Sequence, residues 1–153
     1  LPRQLKPEVK FYDQNLTSSA ALSWKIKVAP NQGLGSDDFV GSRIFMKSLD
    51  VTVYTTGTPA NYLRLSVIIP KDPSITTTFL NPYTKFDHDN FIVFYDQFLD
   101  KQNGTSFRVK VPLNMSQEFN QTGTTVLKNQ IIVQVNSDTA VSYAGSTRLY
   151  YTD

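Results

Sequence analysis

Residues 62–69 read Tyr-Leu-Arg-Leu-Ser-Val-Ile-Ile, and apolar side chains alternate here with mostly polar neighbours. Successive side chains of an extended chain point to opposite sides, so Leu63, Leu65, Val67 and Ile69 share one face. This alternation, in a segment rich in β-branched residues, predicts a half-buried β-strand. The segment decides the fold class because the same period of two recurs along the chain.

Six further segments carry this alternating pattern. They are residues 23–28, 43–54, 91–98, 106–111, 130–135 and 141–151. Between them, residues 102–105 predict a tight hairpin turn, and residues 70–90 predict a long excursion or binding loop. Residues 112–119 predict one short helical turn. About eight strands without a linker or repeat predict a single all-β domain over residues 1–153, a sandwich or a jelly roll.

The composition excludes several classes of site. The 153 residues contain no Cys, which excludes disulfides, thiol catalysis and Cys-ligated zinc, and the single His88 excludes a multi-histidine metal site within one chain. No run approaches the ~18 apolar residues of a membrane-spanning helix. Fifteen basic residues against 13 acidic ones give a formal charge of +2, which does not by itself indicate a nucleic-acid binder. The sequence predicts no metal and no cofactor.

A search for catalytic groups finds no phosphate-binding glycine loop and no nucleophile-elbow motif. The strongest candidate is Asp87-His88-Asp89, but adjacent residues of an extended chain cannot converge, so we interpret it as a solvated loop. Carboxylates could form a glycosidase pair only if the fold brought them together, and we favour turn or strand-end roles for them. These carboxylates are Asp96, Asp100, Glu118 and Asp138. We therefore predict that the protein is not an enzyme.

Basic residues within the predicted strands are more suggestive. They are Lys25, Lys27, Arg43, Lys47, Arg64, Arg108 and Lys110, and all of them except Arg64 are candidate nucleic-acid-facing residues. Ten Phe, eight Tyr and one Trp accompany them, and aromatic rings interleaved with cations can stack the bases of single-stranded nucleic acid. Strand lysines also protect sheet edges, and aromatic residues also fill cores and subunit contacts. The set forms a hypothesis of one shared nucleic-acid-facing surface.

Five segments, in order along the chain, resemble the capsid proteins of small circular single-stranded DNA viruses that encode a replication initiator, the circovirus-like group. Residues 7–13 resemble the E-x-K-x-x-D opening strand, and residues 41–49 resemble the R-x-G-x-x-I-x-x-K-S-L strand, shortened and with the glycine before the arginine. Residues 91–97 are similar to F-x-V-L-Y-D-K, with Gln97 where Lys or Arg is common. Residues 109–114 resemble the basic K-x-P-L segment, and residues 148–153 resemble the closing strand.

The resemblance implies an eight-stranded antiparallel jelly roll of two packed four-stranded sheets with long connecting loops. It implies identical subunits as partners, in an icosahedral T=1 shell of sixty copies around circular single-stranded DNA. Such proteins usually begin with an Arg-rich arm that binds the genome and directs nuclear import, so we expect an arm upstream of residue 1. The implied locations are the virion and, during assembly, the host nucleus. The sequence does not indicate the host-cell receptor.

Two alternatives stay open. A secreted or cell-surface β-sandwich that binds carbohydrate or protein would give meaning to the four Asn-x-Ser/Thr sequons at Asn15, Asn103, Asn114 and Asn120. We interpret these sequons as a consequence of a composition rich in Asn, Ser and Thr. A coat protein of a small RNA virus or satellite virus is the second alternative.

Overall fold

The computed structural model describes residues 8–33, 38–39, 41–56, 63–72, 85–99, 106–123 and 125–153. These ranges form seven antiparallel strands. They are β1 (Lys10–Val28), β2 (Arg43–Thr56), β3 (Leu63–Pro70), β4 (Phe91–Leu99), β5 (Ser106–Phe119), β6 (Val126–Lys128) and β7 (Ile131–Thr152). None of the described ranges contains an α-helix, and so none offers a helix long and apolar enough to cross a membrane.

The two longest strands, β1 and β7, each take part in two sheets. Residues 10–18 of β1 pair with residues 143–151 of β7, and residues 23–28 of β1 pair with residues 131–136 of β7, with register shifts between the two parts. Sheet 1 has the order β1 (10–18), β7 (142–152), β2, β5, β6. Sheet 2 has the order β1 (23–28), β7 (131–137), β3, β4.

This connectivity is a jelly roll. With β1 and β7 each counted as two segments and β6 set aside, eight segments follow one another, and the sheets have the orders 1-8-3-6 and 2-7-4-5. The pairs 1-8, 2-7, 3-6 and 4-5 describe one long antiparallel hairpin that is wound into two sheets. The predicted fold class is confirmed, and β6 adds a short fifth strand to sheet 1.

The core lies between the two sheets. The alternating residues of β3, Leu63, Leu65, Val67 and Ile69, are at most 1% exposed. Inward side chains of β2 and β7 meet them from sheet 1. The buried Gln117 amide donates to the carbonyl oxygens of Val28 and Asn129 at 3.3 and 3.1 Å, which ties the end of β5 to the end of β1.

One predicted element is wrong. Residues 112–119 are not a helical turn but the second half of β5, which pairs with residues 43–48 of β2. A register shift near Met46 and a positive φ of 52° at Asn114 interrupt the regular pairing. Pairing with β2 and the burial of Leu113, Gln117 and Phe119 override the local signal. The segments at 130–135 and 141–151 also belong to one continuous strand, β7.

The predicted loops are described only in part. The turn at 102–105 lies outside the described residues, and so does most of the excursion at 70–90. At the base of that excursion the Lys71 amide donates to the Asn90 carbonyl at 2.8 Å, and the Lys71 ammonium donates to the His88 carbonyl at 2.8 Å. The excursion therefore leaves and rejoins the sheet at one place.

The outer faces of the two sheets differ. On sheet 2, outward side chains of β3 and β7 are buried, each at most 4% exposed. They are Arg64, Ser66, Ile68, Ile132, Gln134 and Asn136. On sheet 1, the outward side chains of β1, β2 and β5 are largely exposed or half-buried. We call the outer face of sheet 1 the open face.

Candidate nucleic-acid interface

The open face carries its charges in a row that crosses four strands. Asp13 of β1 lies opposite Arg148 of β7, which lies opposite Asp50 of β2, which lies opposite Lys110 of β5. Directly opposed side chains on one face are close enough to interact, and opposite charges at these places stabilise the pairing. The four residues form an alternating charge row. The adjacent row consists of Asn15, Ser146, Thr52 and Arg108.

The firmest contact in the charge row joins β1 to β7. Arg148 Nε donates to Asp13 Oδ1 at 2.6 Å, and Arg148 Nη2 donates to Asp13 Oδ2 at 2.7 Å. These hydrogen bonds hold the pKa of the Asp13 carboxyl below its ordinary value of 3.8, against the opposing effect of burial. Hydrogen bonds to Asp13 and, second, to Tyr150 raise the pKa of the Arg148 guanidinium. The planar guanidinium is therefore fixed in orientation and stays charged.

Two aromatic residues lie beside this ion pair. Phe11 of β1 is directly opposite Tyr150 of β7, one outward position from the charge row. The guanidinium carbon of Arg148 lies 4.4 Å from the centre of the Phe11 ring, and Lys110 Nζ lies 5.5 Å from the centre of the Tyr150 ring. Both distances are within the range of cation–π attraction. Each of the two rings therefore makes a cation–π contact with a different residue.

An open cleft of about 210 Å³ is lined by Tyr150 and by all residues of the two rows except Lys110. Arg108 Nη2 is 3.6 Å from Asp50 Oδ2 at its edge, and the Arg108 side chain is 75% exposed. The other oxygen of Asp50 is buried without a hydrogen-bond partner. Since an exposed, loosely held guanidinium is available to an anion, Arg108 is the most accessible cation of the cleft.

The open face also carries Arg43 and Lys47, the two β2 cations of the sequence hypothesis. Arg43 Nη2 donates to Glu118 Oε1 at 2.9 Å, and the Arg43 side chain is 68% exposed. Lys47 is exposed at the register shift of β2. Lys128 of β6 lies opposite Glu118 and is exposed.

The structure divides the six predicted basic residues between two faces. Lys25 and Lys27 alternate with the buried Ile26 and Val28, which places both lysines on the outer face of sheet 2. Lys25 and Lys27 lie on β1, an edge strand, and Arg108 and Lys110 lie on the part of β5 that β6 does not cover, whereas Arg43 and Lys47 lie on the inner strand β2. The surroundings of the two groups differ. Lys27 lies opposite the buried Ile132, whereas Lys110 lies over the Tyr150 ring.

The catalytic candidates take structural positions. Asp87 accepts hydrogen bonds from the Asp89 amide at 2.9 Å and the Asn90 side chain at 2.6 Å, which closes the turn that carries the exposed His88. In the described part of the chain, no three His, Asp or Glu side chains could share a metal ion. Asp100 and the side chain of Asp138 lie outside the described residues.

Asp96 does not have the strand-end role favoured from the sequence. It lies within β4, where both its oxygens accept hydrogen bonds from Arg64 at 2.6 Å, and one also accepts from Ser66 at 3.0 Å. The Arg64 guanidinium also lies 5.2 Å from the Phe86 ring centre and 5.7 Å from that of Phe98. The pair allows a buried arginine on the outer face of sheet 2.

The sequence hypothesis missed four residues of the open face: Phe11, Asp13, Arg148 and Tyr150. Alternation within residues 148–151 places Arg148 and Tyr150 on the polar side of the strand, which is the one local signal for them. Their association with Asp13 and Phe11 depends on the register of β1 against β7, more than 130 residues apart along the chain.

Comparison with known proteins gives low-scoring structural matches. No family model matches the chain, and no curated protein matches it. The crystal structure of the decameric BFDV capsid protein has a TM-score of 0.35 and 15% identity, with 93% of this chain and 98% of that chain covered. The VP2 subviral particle of infectious bursal disease virus has a TM-score of 0.29 and 10% identity, with 95% of this chain and 33% of that chain covered. Because both TM-scores are below 0.5, these matches do not assign a function to this chain.

Proposed function

We propose that the chain is a viral capsid protein, whose identical copies assemble into a closed icosahedral shell around circular single-stranded DNA. The proposal combines the ordered capsid-like segments of the sequence with a jelly roll, a fold that viral capsid domains share with lectins and cupins. The observation that carries it is the asymmetry of the sandwich. The outer face of sheet 2 has a buried centre, and the open face of sheet 1 is accessible, basic and aromatic.

The charge of the open face suits a polyanion. The outward side chains of its strands include six cations and three carboxylates, so the face has a local excess of +3, compared with +2 for the whole chain. The cations are Arg43, Lys47, Arg108, Lys110, Lys128 and Arg148, and the carboxylates are Asp13, Asp50 and Glu118. Phosphate contacts of this kind position a nucleic acid without regard to its sequence. We therefore assign the open face to the interior of the shell.

Assembly, rather than catalysis, is the mechanism. A closed shell repeats the same contacts under rotational symmetry, and sixty copies in a T=1 arrangement satisfy that requirement with one chain. The same proposal includes the virion as the location, assembly in the host nucleus, and an Arg-rich arm upstream of residue 1 as the main genome contact. The open face then supplies an additional fixed contact at the shell wall.

Nucleic-acid content tests the role of the open face. The variant R43A/K47A/R108A/K110A removes four cations from this face, and K25A/K27A is the control on the opposite sheet. We expect particles of the first variant to hold less nuclease-protected nucleic acid, with a weaker dependence of packaging on salt, while the control stays close to the parent. Unchanged content in the four-residue variant would contradict the assignment.

The same preparations test the alternatives. Protected DNA from infected or genome-supplied cells supports the DNA-virus interpretation, and exclusive protection of RNA there would replace it with an RNA-virus or satellite-virus coat. A chain that stays a monomer or small oligomer and binds glycans would contradict the capsid role and favour the secreted binding module.

A further inference from the structure

We propose that Phe11, Tyr150 and Arg148 form a base-stacking subsite, which binds unpaired nucleobases of single-stranded nucleic acid at the open face. This inference rests on the proposed function for its ligand. It adds a mode of binding, stacking on an aromatic and guanidinium surface, that phosphate neutralisation alone does not supply.

The two aromatic rings of the subsite point away from the core. Phe11 is 46% exposed although it lies on β1 next to Tyr12, which packs against the core. Its cross-strand partner Tyr150 also points outward, between the buried Leu149 and Tyr151. Neither ring therefore fills the space between the sheets. The two rings offer apolar, planar area beside the charge row, apart from the exposed Phe45 and Tyr54 elsewhere on the same face.

The ion pair with Asp13 determines what the Arg148 guanidinium can bind. Asp13 occupies the Nε and Nη2 donors and balances the positive charge, so the guanidinium is poorly placed to bind a phosphate as well. The same two bonds hold the guanidinium with its carbon 4.4 Å from the Phe11 ring centre, and the side chain is still 44% exposed. Bases stack on arginine planes as they do on aromatic rings. Arg148 therefore extends the stacking surface.

Two cations that can bind phosphate, Lys110 and Arg108, lie beside that surface. Lys110 lies over Tyr150, and Arg108 lies two residues away on the same side of β5, which is about 7 Å along a strand. Asp50 holds Arg108 only at 3.6 Å. A strand that stacks its bases on Tyr150 and Phe11 can thus place its phosphates toward β5. A duplex cannot do so, because its bases are already stacked inside.

Fluorescence anisotropy with oligothymidylate and an abasic oligonucleotide of equal length separates stacking from charge. We expect the parent protein to bind the thymidine strand about 5- to 100-fold more tightly than the abasic strand. The variant F11S/Y150S should lose that preference and bind both like the abasic strand. Y54S is the matched control, because Tyr54 is an exposed tyrosine on the same face, 49% exposed and away from the pair; its preference should stay.

Photocrosslinking keeps the inference testable if the double variant folds poorly. With 5-iododeoxyuridine in the strand, we expect crosslinked peptides that contain Phe11 or Tyr150 of the parent protein. Equal affinity of the parent for the thymidine and abasic strands, or crosslinks only elsewhere, would overturn the stacking subsite and leave the proposed phosphate contact in place. Absence of binding to both strands would overturn the subsite together with the proposed role of the open face.

Discussion

Arg148 and Asp13 form a two-pronged ion pair across the β1–β7 ladder, with donor–acceptor distances of 2.6 and 2.7 Å. The pair joins the first and last strands of the described chain at one edge of the open face. Both side chains are 44% exposed, so water and salt screen the interaction. Its contribution to stability is modest, and its main effect is to fix the Arg148 plane.

The pH dependence of stability should report this pair. Since the pKa of Asp13 is lower in the folded chain than its ordinary 3.8, the pair stabilises the fold above that pKa, and the contribution is lost as the pH falls through the folded value. We expect D13N to reduce the free energy of unfolding by up to about 1 kcal/mol at neutral pH, and by progressively less as the pH is lowered below 3.8. Urea unfolding at neutral pH and at several acidic pH values measures the change.

The control for this series is D89N, in the exposed turn before β4. A destabilisation by D13N that grew on acidification would contradict a lowered pKa of Asp13 in the folded chain. High salt should shrink the neutral-pH difference, because exposed ion pairs are screened.

The Arg64–Asp96 pair should matter much more for stability. The Arg64 side chain is 5% exposed and the Asp96 side chain 27% exposed, so removal of Asp96 takes away the carboxylate that balances the charge of a buried guanidinium. We expect D96A to cost about 3 kcal/mol of unfolding free energy. E118A is the matched control, since its partner Arg43 is 68% exposed, and should cost less than about 1 kcal/mol. Equal costs in denaturant unfolding would mean that burial of Arg64 is not what makes the pair important.

Two glycines with positive φ should respond differently to alanine. At Gly123, with φ of 69°, an added Cβ would collide with the side chain of Gln32, whereas at Gly41, with φ of 93°, it would meet open space. We expect Gly41→Ala to cost about 1 kcal/mol from backbone strain and Gly123→Ala about 2–3 kcal/mol from strain and crowding together. Thermal unfolding ranks the two variants, and the reverse order would be inconsistent with the packing of Gln32.

The salt dependence of nucleic-acid binding should reveal how many cations touch phosphates. Each cation that releases a counterion from a single strand contributes about 0.7 to the slope of log affinity against log salt. We expect R108A/K110A to reduce the slope by about 1.4, and K25A/K27A to leave it unchanged. Anisotropy titrations at several salt concentrations give both slopes. A larger reduction of the slope in K25A/K27A than in R108A/K110A would indicate that the nucleic acid binds on sheet 2 instead.

The alternation of apolar residues is sufficient to predict an all-β sandwich or jelly roll, because several strands repeat the pattern seen in Leu63, Leu65 and Val67. It does not predict the first half of β1, whose residues 14–22 lack clear alternation and extend by pairing with β7. It also places Arg64 among the polar, outward positions without revealing its burial. That burial depends on Asp96 and Phe86, which come from distant parts of the chain.

The candidate site, too, can be predicted from the sequence only in part. Arg108 and Lys110 can be found from the sequence because their strand separates basic from apolar sides, whereas Lys25 and Lys27 show the same local pattern and lie on the other sheet. A period of two indicates which side chains share a face within a strand, but it does not indicate which strands share a sheet. Only the register brings Asp13 to Arg148.

The mass of the assembled protein tests the capsid proposal most directly. Sixty copies of a 17.3 kDa chain weigh about 1 MDa before any nucleic acid is added. Mass photometry of the purified protein, across salt concentrations and with single-stranded DNA added, should show a discrete population at or above that mass. A single population at the mass of one chain or a few chains under all of these conditions would contradict the proposal.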